Sequence, residues 1–496
     1  MMLDGTKRVV VTLVALLPAC GALALADNEP KLPGVIEKLN QHDSVKTTED
    51  NKSYKIIWDA YLATLAVNKP PKEIGPEFNL NTIHPKMSQW ADVAGWAESN
   101  AAMGQAILKS RDKIVFGLPY GMEKVDPNYV KANLTAVMSE KGNLGDYRFP
   151  YLTAVDTIAA WTTAEVYRLM EAGQVKPALD LAVAHLFLLR QFCDRDFLEE
   201  KLHSVSLLSD ALSNLRDVFY LYQDKISVEQ FTQIALKEIP FLRPDRNRLF
   251  MPEADRIVAE AVIEAVFDPR SDKADVDKFA GTFAEIQSKD APLTRFGAAK
   301  RWRNIAAVHG SRTASLERLK LIYDDWWRRW RVEEYDEILS FDTQFEATNP
   351  IRYAAVIYSV QDVERAFVVR NKLIAEVNGT ATAAGLCAYK RSLGVYPDQV
   401  EKCYTQFMLK RSDSDPFDRE LKPFIYFLVT KDTSIDTPAG RLWIKPADKE
   451  CMLVSLGQDH EDQRGAAHSE EGATAGEDIV LWPPIKAMER KQGLVP

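Results

Sequence analysis

Apolar residues recur every three or four positions through most of the first 340 residues, which is the pattern of amphipathic helices. The signal is strongest between Tyr151 and Tyr222, where two alanine-rich segments flank a glycine turn at Gly173 and predict a helical hairpin. Further helices are expected at 54–67, from 88 onward, and at 197–222, 228–238, 253–267, 276–287 and 314–338. Residues 53–345 are therefore predicted to form a helical domain, a stack of helical hairpins with almost no strand.

The most unusual local composition is a tryptophan- and arginine-rich run at 324–331. Such a run could bind a membrane interface, a glycan or a peptide. However, one apolar stripe with helical spacing runs through it and consists of Leu316, Leu319, Tyr323, Trp326 and Trp330. The stripe favours core packing with the arginines in solvent, and Trp327 is the ring expected to be exposed.

The pattern changes in the last part of the chain, where a helical run from Ala384 is followed by short apolar segments. Gly394 has the character of a residue that ends a helix, and Pro397 prevents the helix from resuming. Residues 424–429, apolar on both faces, predict a strand covered on both sides, and 442–444 and 451–455 predict two more. Residues 346–496 are therefore predicted to form an α+β module, one helix on a small antiparallel sheet.

Four phrases of this module occur in a distinctive order: AGLCAYKRSLGVYP, DSDPFDRELKPFIYF, CMLVSLGQDHEDQRG and GEDIVLWPP. Their order and spacing resemble the soluble head of the type II secretion major pseudopilins. In that family a helix ends in a similar phrase, a hairpin follows, and a loop binds calcium. The resemblance covers the C-terminal quarter of the chain and does not extend to the helical region before it.

The resemblance implies a calcium ion held by Asp459 and Asp478, with Asp462 and the main chain near Leu456 completing the shell. Calcium takes six to eight oxygen ligands from carboxylates and carbonyls, which suits such a loop. Two features depart from the family. His460 replaces a small residue, and residues 467–471 lengthen the loop. The alternative is a solvated acidic loop without a metal.

Pseudopilins polymerise through an apolar N-terminal helix, and the corresponding helix of this chain is internal. It carries Gln361, Asp362, Glu364, Arg365, Arg370 and Lys372. Charged residues at this density exclude a bilayer span or a hydrophobic filament core. The resemblance therefore implies that a head fold is reused as a module, rather than a pilus subunit.

The N-terminus has the pattern of an export signal. Lys7 and Arg8 precede an apolar run that ends in Ala24-Leu25-Ala26, so residues 1–26 are predicted to be a signal peptide and 27–52 a polar linker. Cleavage would leave Asp27 as the first residue, which mass spectrometry of the native protein would show. The alternatives are a lipid anchor at Cys20 and an uncleaved membrane anchor. No later stretch is long and apolar enough to cross a membrane, so the expected location is periplasmic or extracellular.

Net charge, motif content and cysteine count limit the classes of function that the chain can have. A net charge of −9 over 496 residues argues against a nucleic-acid partner, which requires a basic surface. The chain contains no P-loop, no GxSxG, no HExxH and no EF-hand spacing. After signal cleavage four cysteines remain: Cys193, Cys387, Cys403 and Cys451. A disulfide between Cys387 and Cys403 would contribute ~3 kcal/mol, and the alternative is four buried thiols.

These observations favour an exported, non-catalytic binding or structural protein whose helical body contacts a protein partner and whose C-terminal module is stabilised by calcium. One alternative is a periplasmic hydrolase of unknown substrate, with a cleft built from carboxylates distant in sequence. Another is an accessory component of a type II secretion-like system.

Overall fold

The computed structural model describes residues 33–72, 74, 80–139, 146–242, 249–290, 295–333, 335–466 and 478–495. The predicted signal peptide, the alternative lipid anchor at Cys20 and the loop insertion at 467–471 lie outside these ranges. Among the described residues, no helix combines the length and apolar character that crossing a membrane would need.

Helices dominate the described chain. They are α1 (Pro33–Leu39), α2 (Tyr54–Ala63), α3 (Trp90–Ser99), α4 (Ala102–Ser110), α5 (Pro127–Lys131), α6 (Leu152–Glu171), α7 (Val175–Phe192), α8 (Leu198–Leu221), α9 (Val228–Gln233), α10 (Ala254–Val266), α11 (Val276–Asp290), α12 (Arg295–Val308), α13 (Arg312–Arg331), α14 (Ala354–Ile357), α15 (Glu364–Leu393) and α16 (Ile485–Gln492). The strands are β1 (Phe267–Asp268), β2 (Lys273–Ala274), β3 (Ile425–Leu428), β4 (Thr433–Thr437), β5 (Gly440–Ile444), β6 (Cys451–Ser455) and β7 (Ile479–Trp482).

The predicted fold class is confirmed: the chain is mainly helical with a small antiparallel sheet near its C-terminus. In the body, α6, α7 and α8 pack side by side. Gly173 makes the turn between α6 and α7 with a φ of +73°, a conformation that glycine adopts without strain. The predicted helix at 314–338 is too long, because α13 ends at Arg331 and Asp336 caps a separate 3-10 turn by accepting a hydrogen bond from the Ile338 amide.

The apolar stripe of α13 lies in the core, as its spacing predicts. Leu319, Tyr323, Trp326 and Trp330 are buried and Leu316 is half-buried. Trp327 lies outside the stripe and is half-buried rather than exposed. The expectation that the arginines lie in solvent is wrong for Arg329, which is buried because it pairs with Asp325 and donates to the Phe341 and Asp342 carbonyls.

The described part of the predicted linker packs against the helical body. Leu39 and Val45 are buried, and α1 contacts α10. The Asn40 side chain bonds to both the amide and the carbonyl of Tyr120 at 2.9 Å. His42 Nδ1 lies 2.7 Å from Asp196 Oδ1. Residues 33–52 therefore form one wall of the body rather than a free connector, because their few apolar residues are covered and their polar side chains bind the body.

Helix α15 joins the body to the sheet, since it packs against α8 and α9 on one side and β7 on another. It ends at Gly394, whose φ of +82° confirms the predicted helix end. One continuous hydrophobic core extends from Val35 to Trp482. Helices of the body and strands of the module thus share the same core.

The C-terminal sheet has the order β3-β6-β7, all antiparallel, while β4 and β5 form a separate hairpin. Strand β6 is buried on both faces. Cys451 and Leu453 point toward the core shared with α15, and Met452 and Val454 point into a second apolar cluster that includes residues of the hairpin and α16. The strand predicted at 424–429 corresponds to β3, which lies at the sheet edge and is only half-buried. Strand β7, like β6, is buried along its whole length and contributes to both apolar clusters.

All four described cysteines are free and buried. The alternative of a Cys387–Cys403 disulfide is therefore not what the structure shows.

The approach of α15 to β7 requires a glycine. A Cβ atom at Gly379 would lie 2.5 Å from Leu481 Cδ1 and 2.8 Å from its Cγ, and Leu481 is fully buried. We expect Gly379→Ala to lower the free energy of unfolding by ~1–3 kcal/mol, because the packed isobutyl group has to move. Chemical denaturation of the full chain measures this.

Gly95 is the matched control, because it is also helical and a Cβ there meets nothing within 4 Å. Gly95→Ala should raise stability by ~0.5–1 kcal/mol through helix propensity alone. Equal effects of the two substitutions would contradict the close contact.

Candidate metal centre

The predicted metal ligands lie on a turn after β6 and at the start of β7. Glycine is required where this turn closes: Gly465 has a φ of +70°, and a Cβ there would lie 3.0 Å from Met452 Cε. The Gly465 amide donates a 2.6 Å hydrogen bond to Asp478 Oδ2. The adjoining Ala466 carbonyl accepts from the Asp436 amide of β4 at 2.8 Å. The turn is thus fixed at its end to β7 and to the hairpin.

The other end of the turn is held by Asp415, which precedes Pro416 in the phrase DSDPFDRELKPFIYF. Its carboxylate is buried and accepts three hydrogen bonds, from the Phe417 amide at 3.0 Å, the Ser455 hydroxyl at 2.7 Å and the Leu456 amide at 2.9 Å. Desolvation raises the pKa of Asp415. Leu456, predicted to lend main-chain oxygen to a cation, is therefore positioned through its amide.

His460, the departure from the pseudopilin pattern, helps to hold the turn. Its φ of +60° is left-handed, and its Nδ1 lies 3.0 Å from the Phe417 carbonyl oxygen, so Nδ1 carries the proton of this contact. Its ring lies 4.3 Å from the ring of Tyr335, centroid to centroid. The histidine side chain thus joins the turn to the segment that contains Asp415 and Phe417.

The three aspartates of the predicted site lie near one another. Asp459 accepts hydrogen bonds from the Glu461 amide at 3.1 Å and from Gln463 Nε2 at 2.6 Å. Asp462 accepts from the Arg464 amide at 2.8 Å. Asp478 is fully buried just before β7.

Electrostatics mark Asp478 as the unusual member of this group. Burial, followed by the charges of Asp462 and Asp459, raises its pKa to about 7 against the opposing hydrogen bonds from the main chain of Gly465 and Gln463. Its Oδ1 is buried and has no hydrogen-bond partner among the described residues, and the same holds for Oε1 of Gln463. Two uncompensated oxygens beside two carboxylates make a site that favours a bound cation or a bound proton.

Side chains alone do not complete a metal shell here. Within the described ranges, no group of three or more His, Cys, Asp or Glu side chains could hold a metal ion. Asp459 and Asp462 lie close enough to Asp478 for their charges to raise its pKa. The Leu456 amide donates to Asp415. Gln463, which the resemblance to pseudopilins does not indicate, places a buried side-chain oxygen in the same turn.

Comparisons of the chain with protein-family models, curated proteins and solved structures return no match.

Removal of the Asp415 carboxylate tests how the turn is held. Asp415→Ala leaves three donors without their acceptor in a buried setting, so we expect a loss of ~2–4 kcal/mol in the free energy of unfolding. Asp418→Ala is the control, since Asp418 accepts the Glu420 and Lys422 amides at exposed positions, and it should cost less than ~1 kcal/mol. Urea unfolding of both variants measures the difference, and equal losses would contradict the role of Asp415.

The raised pKa of Asp478 predicts a pH dependence of stability without calcium. The unfolded carboxyl releases its proton near its ordinary pKa of 3.8, and the folded one near about 7. Between these values the folded state binds more protons, so its stability falls as pH rises from about 4 to about 7. Compared with Asp478→Asn, the wild-type chain should lose ~2 kcal/mol over this window.

Unfolding in chelator at several pH values measures that difference. Asp432→Asn, an exposed aspartate of the same module, is the control and should keep the wild-type profile. Parallel profiles for wild type and Asp478→Asn would show that Asp478 titrates normally.

Proposed function

We propose that this protein is an exported, non-catalytic binding or structural protein whose C-terminal module is stabilised by calcium. The observation that carries the proposal is the buried Asp478 carboxylate, one oxygen of which has no hydrogen-bond partner among the described residues, with the charges of Asp459 and Asp462 beside it. A divalent cation would satisfy that oxygen and reverse the repulsion among the three carboxylates.

The side chains at this turn are oxygen donors of the type that calcium prefers. Asp478 and Gln463 supply buried oxygens that have no partner within the described ranges, and Asp459 and Asp462 supply carboxylates on a turn. Calcium accepts such oxygen donors in flexible geometry, and water or main-chain oxygens commonly complete its shell. The ion would tie the turn to the start of β7, which is a structural role.

Export agrees with such a site. Extracellular modules bind calcium with Kd values of ~10⁻⁴–10⁻³ M, which suits a loop with few ligands and access to calcium outside the cytosol. The N-terminal pattern of Lys7, Arg8 and an apolar run supports the same location.

The packing of α15 supports a fixed module rather than a filament subunit. Glu376 and Thr380 of α15 both bond to Arg216 of α8, and the main chain at Gly379 contacts β7. The helix that corresponds to the pseudopilin helix is therefore enclosed by the body of its own chain.

Calcium should stabilise the full chain. At a free concentration tenfold above Kd we expect ~1.4 kcal/mol of added stability, because calcium binds the folded state alone. The gain should be larger at pH 8 than at pH 5, since a proton on Asp478 competes with the ion. Thermal and urea unfolding with calcium or chelator measure it.

Magnesium at the same concentration controls for ionic strength, and Asp478→Asn should abolish the calcium gain. Asp432→Asn should leave the gain intact. Identical unfolding curves in calcium and chelator at pH 8 would reject the calcium site, and a gain that persists in Asp478→Asn would place it elsewhere.

A further inference from the structure

Residues 33–52 cover one side of the helical body, and polar contacts hold them there at two places. At the first place, Asn40 bonds to the main chain of Tyr120. At the second, His42 and Ser44 both reach Asp196, which lies between α7 and α8. Because Ser44 and Asp196 are 152 positions apart, these contacts tie the segment to a distant part of the chain.

The segment binds both oxygens of the Asp196 carboxylate. His42 Nδ1 lies 2.7 Å from Asp196 Oδ1, and the Ser44 hydroxyl donates to Asp196 Oδ2. The side chain of Asp196 is only 3% exposed, whereas that of His42 is 28% exposed. The contact therefore joins a buried carboxylate to an imidazole that can exchange protons with solvent.

Two buried cations lie near Asp196 but bind other acceptors. Arg195 pairs with Glu200 at 2.9 Å. The ammonium group of Lys201 donates to a main-chain carbonyl. The titratable nitrogen in direct contact with the Asp196 carboxylate therefore comes from the segment, as His42.

His42 is the one side chain in residues 33–52 whose ordinary pKa lies near neutral pH. Its contact with Asp196 raises the pKa above 6.5, and burial opposes that rise. The other charged groups that face it are Glu253 at the start of α10 and Asp43 of the segment itself, and both raise the pKa further. A raised histidine pKa contributes stability that is complete below pH 6.5 and is lost as pH rises through the folded value.

We infer that His42 and Asp196 form a pH-sensitive latch, which keeps residues 33–52 closed on the body in acid and releases them more often above neutral pH. Protonated His42 is a cation against a buried carboxylate, whereas the neutral imidazole offers a hydrogen bond alone. Helix α1 of this segment lines a cleft of about 640 Å³ together with α10 and α13, so release of the segment removes one wall of that cleft. The inference goes beyond the function proposed above and does not depend on the calcium site.

Hydrogen exchange of the full-length protein, followed by mass spectrometry of its peptides, tests the latch. Peptides from 33–52 report opening through amides such as those of Asn40 and Lys46, which bond to main-chain carbonyls within the segment. After correction for the base-catalysed intrinsic rate, their protection should be roughly three- to tenfold lower at pH 8 than at pH 5, because the charge-assisted contact is lost. Equal protection at the two pH values would overturn the inference.

Two histidine variants locate the response. His42→Asn keeps a hydrogen-bond donor without the titrating group, so its corrected exchange in 33–52 should be the same at pH 5 and pH 8. His203→Asn is the matched control, because His203 Nε2 also lies 2.7 Å from an aspartate, Asp156, but between α6 and α8. It should keep the wild-type pH dependence. A pH dependence that persists in His42→Asn would show that another group controls the segment.

An internal reference separates the latch from the pH dependence predicted for Asp478, since both lower protection as pH rises. Opening of the latch exposes amides of 33–52 alone, whereas global unfolding also exposes those of α7. Asp478→Asn should therefore leave the response of 33–52 unchanged relative to α7. If the protection of 33–52 falls only in step with that of α7, the segment does not open by itself and the inference is wrong.

Discussion

Two consecutive buried charges on α8 hold the helical body and the C-terminal module together. Arg216 pairs with Glu376 of α15 at 2.6 Å and donates to the Thr380 hydroxyl at 2.7 Å. Asp217 pairs with Arg490 of α16 at 2.8 Å. Removing one partner of a buried pair costs ~3–5 kcal/mol, because it leaves a charge uncompensated. Helix α8 can therefore stay in its place only when α15 and α16 are in theirs, and the shared core makes body and module one cooperative unit.

Contacts of β7 and α16 connect the candidate metal centre to α15 and α8. Asp478 directly precedes β7, and Leu481 of the same strand packs against the backbone of α15 at Gly379. Helix α16 follows β7 and carries Arg490, whose guanidinium also donates to the Asn81 carbonyl at 2.6 Å. Asp478 therefore lies at the start of a segment, β7 followed by α16, that packs against α15 and pairs with Asp217 of α8.

Local periodicity predicted those features that neighbouring residues determine. Spacing predicted the helices of the body, and glycine conformation predicted the turn at Gly173 and the helix end at Gly394. An apolar run predicted the strand at 451–455. Local periodicity could not predict contacts between residues that are far apart in the sequence. Residues 33–52 look like a linker because polar side chains such as Asn40 are common there, and nothing local shows that Tyr120 receives them. Likewise, an Asp-Pro turn does not reveal that Asp415 binds Leu456, 41 positions later.

Helix α13 shows how one tryptophan- and arginine-rich run is divided between the core and the surface of the body. Trp326 and Trp330 are completely buried, and the Trp330 indole donates to the Leu249 carbonyl at 3.0 Å. Those contacts fix the rotation of the helix about its axis, so Trp327, one position beyond Trp326, is directed away from the core stripe by the helical period. The Trp327 ring is held there by its own contacts, because its indole N–H donates to Glu253 Oε1 and Arg331 lies 5.0 Å from the ring centroid. The core packing that the apolar stripe predicts therefore holds for the face that carries Trp326 and Trp330, whereas Trp327, on another face, is half-buried.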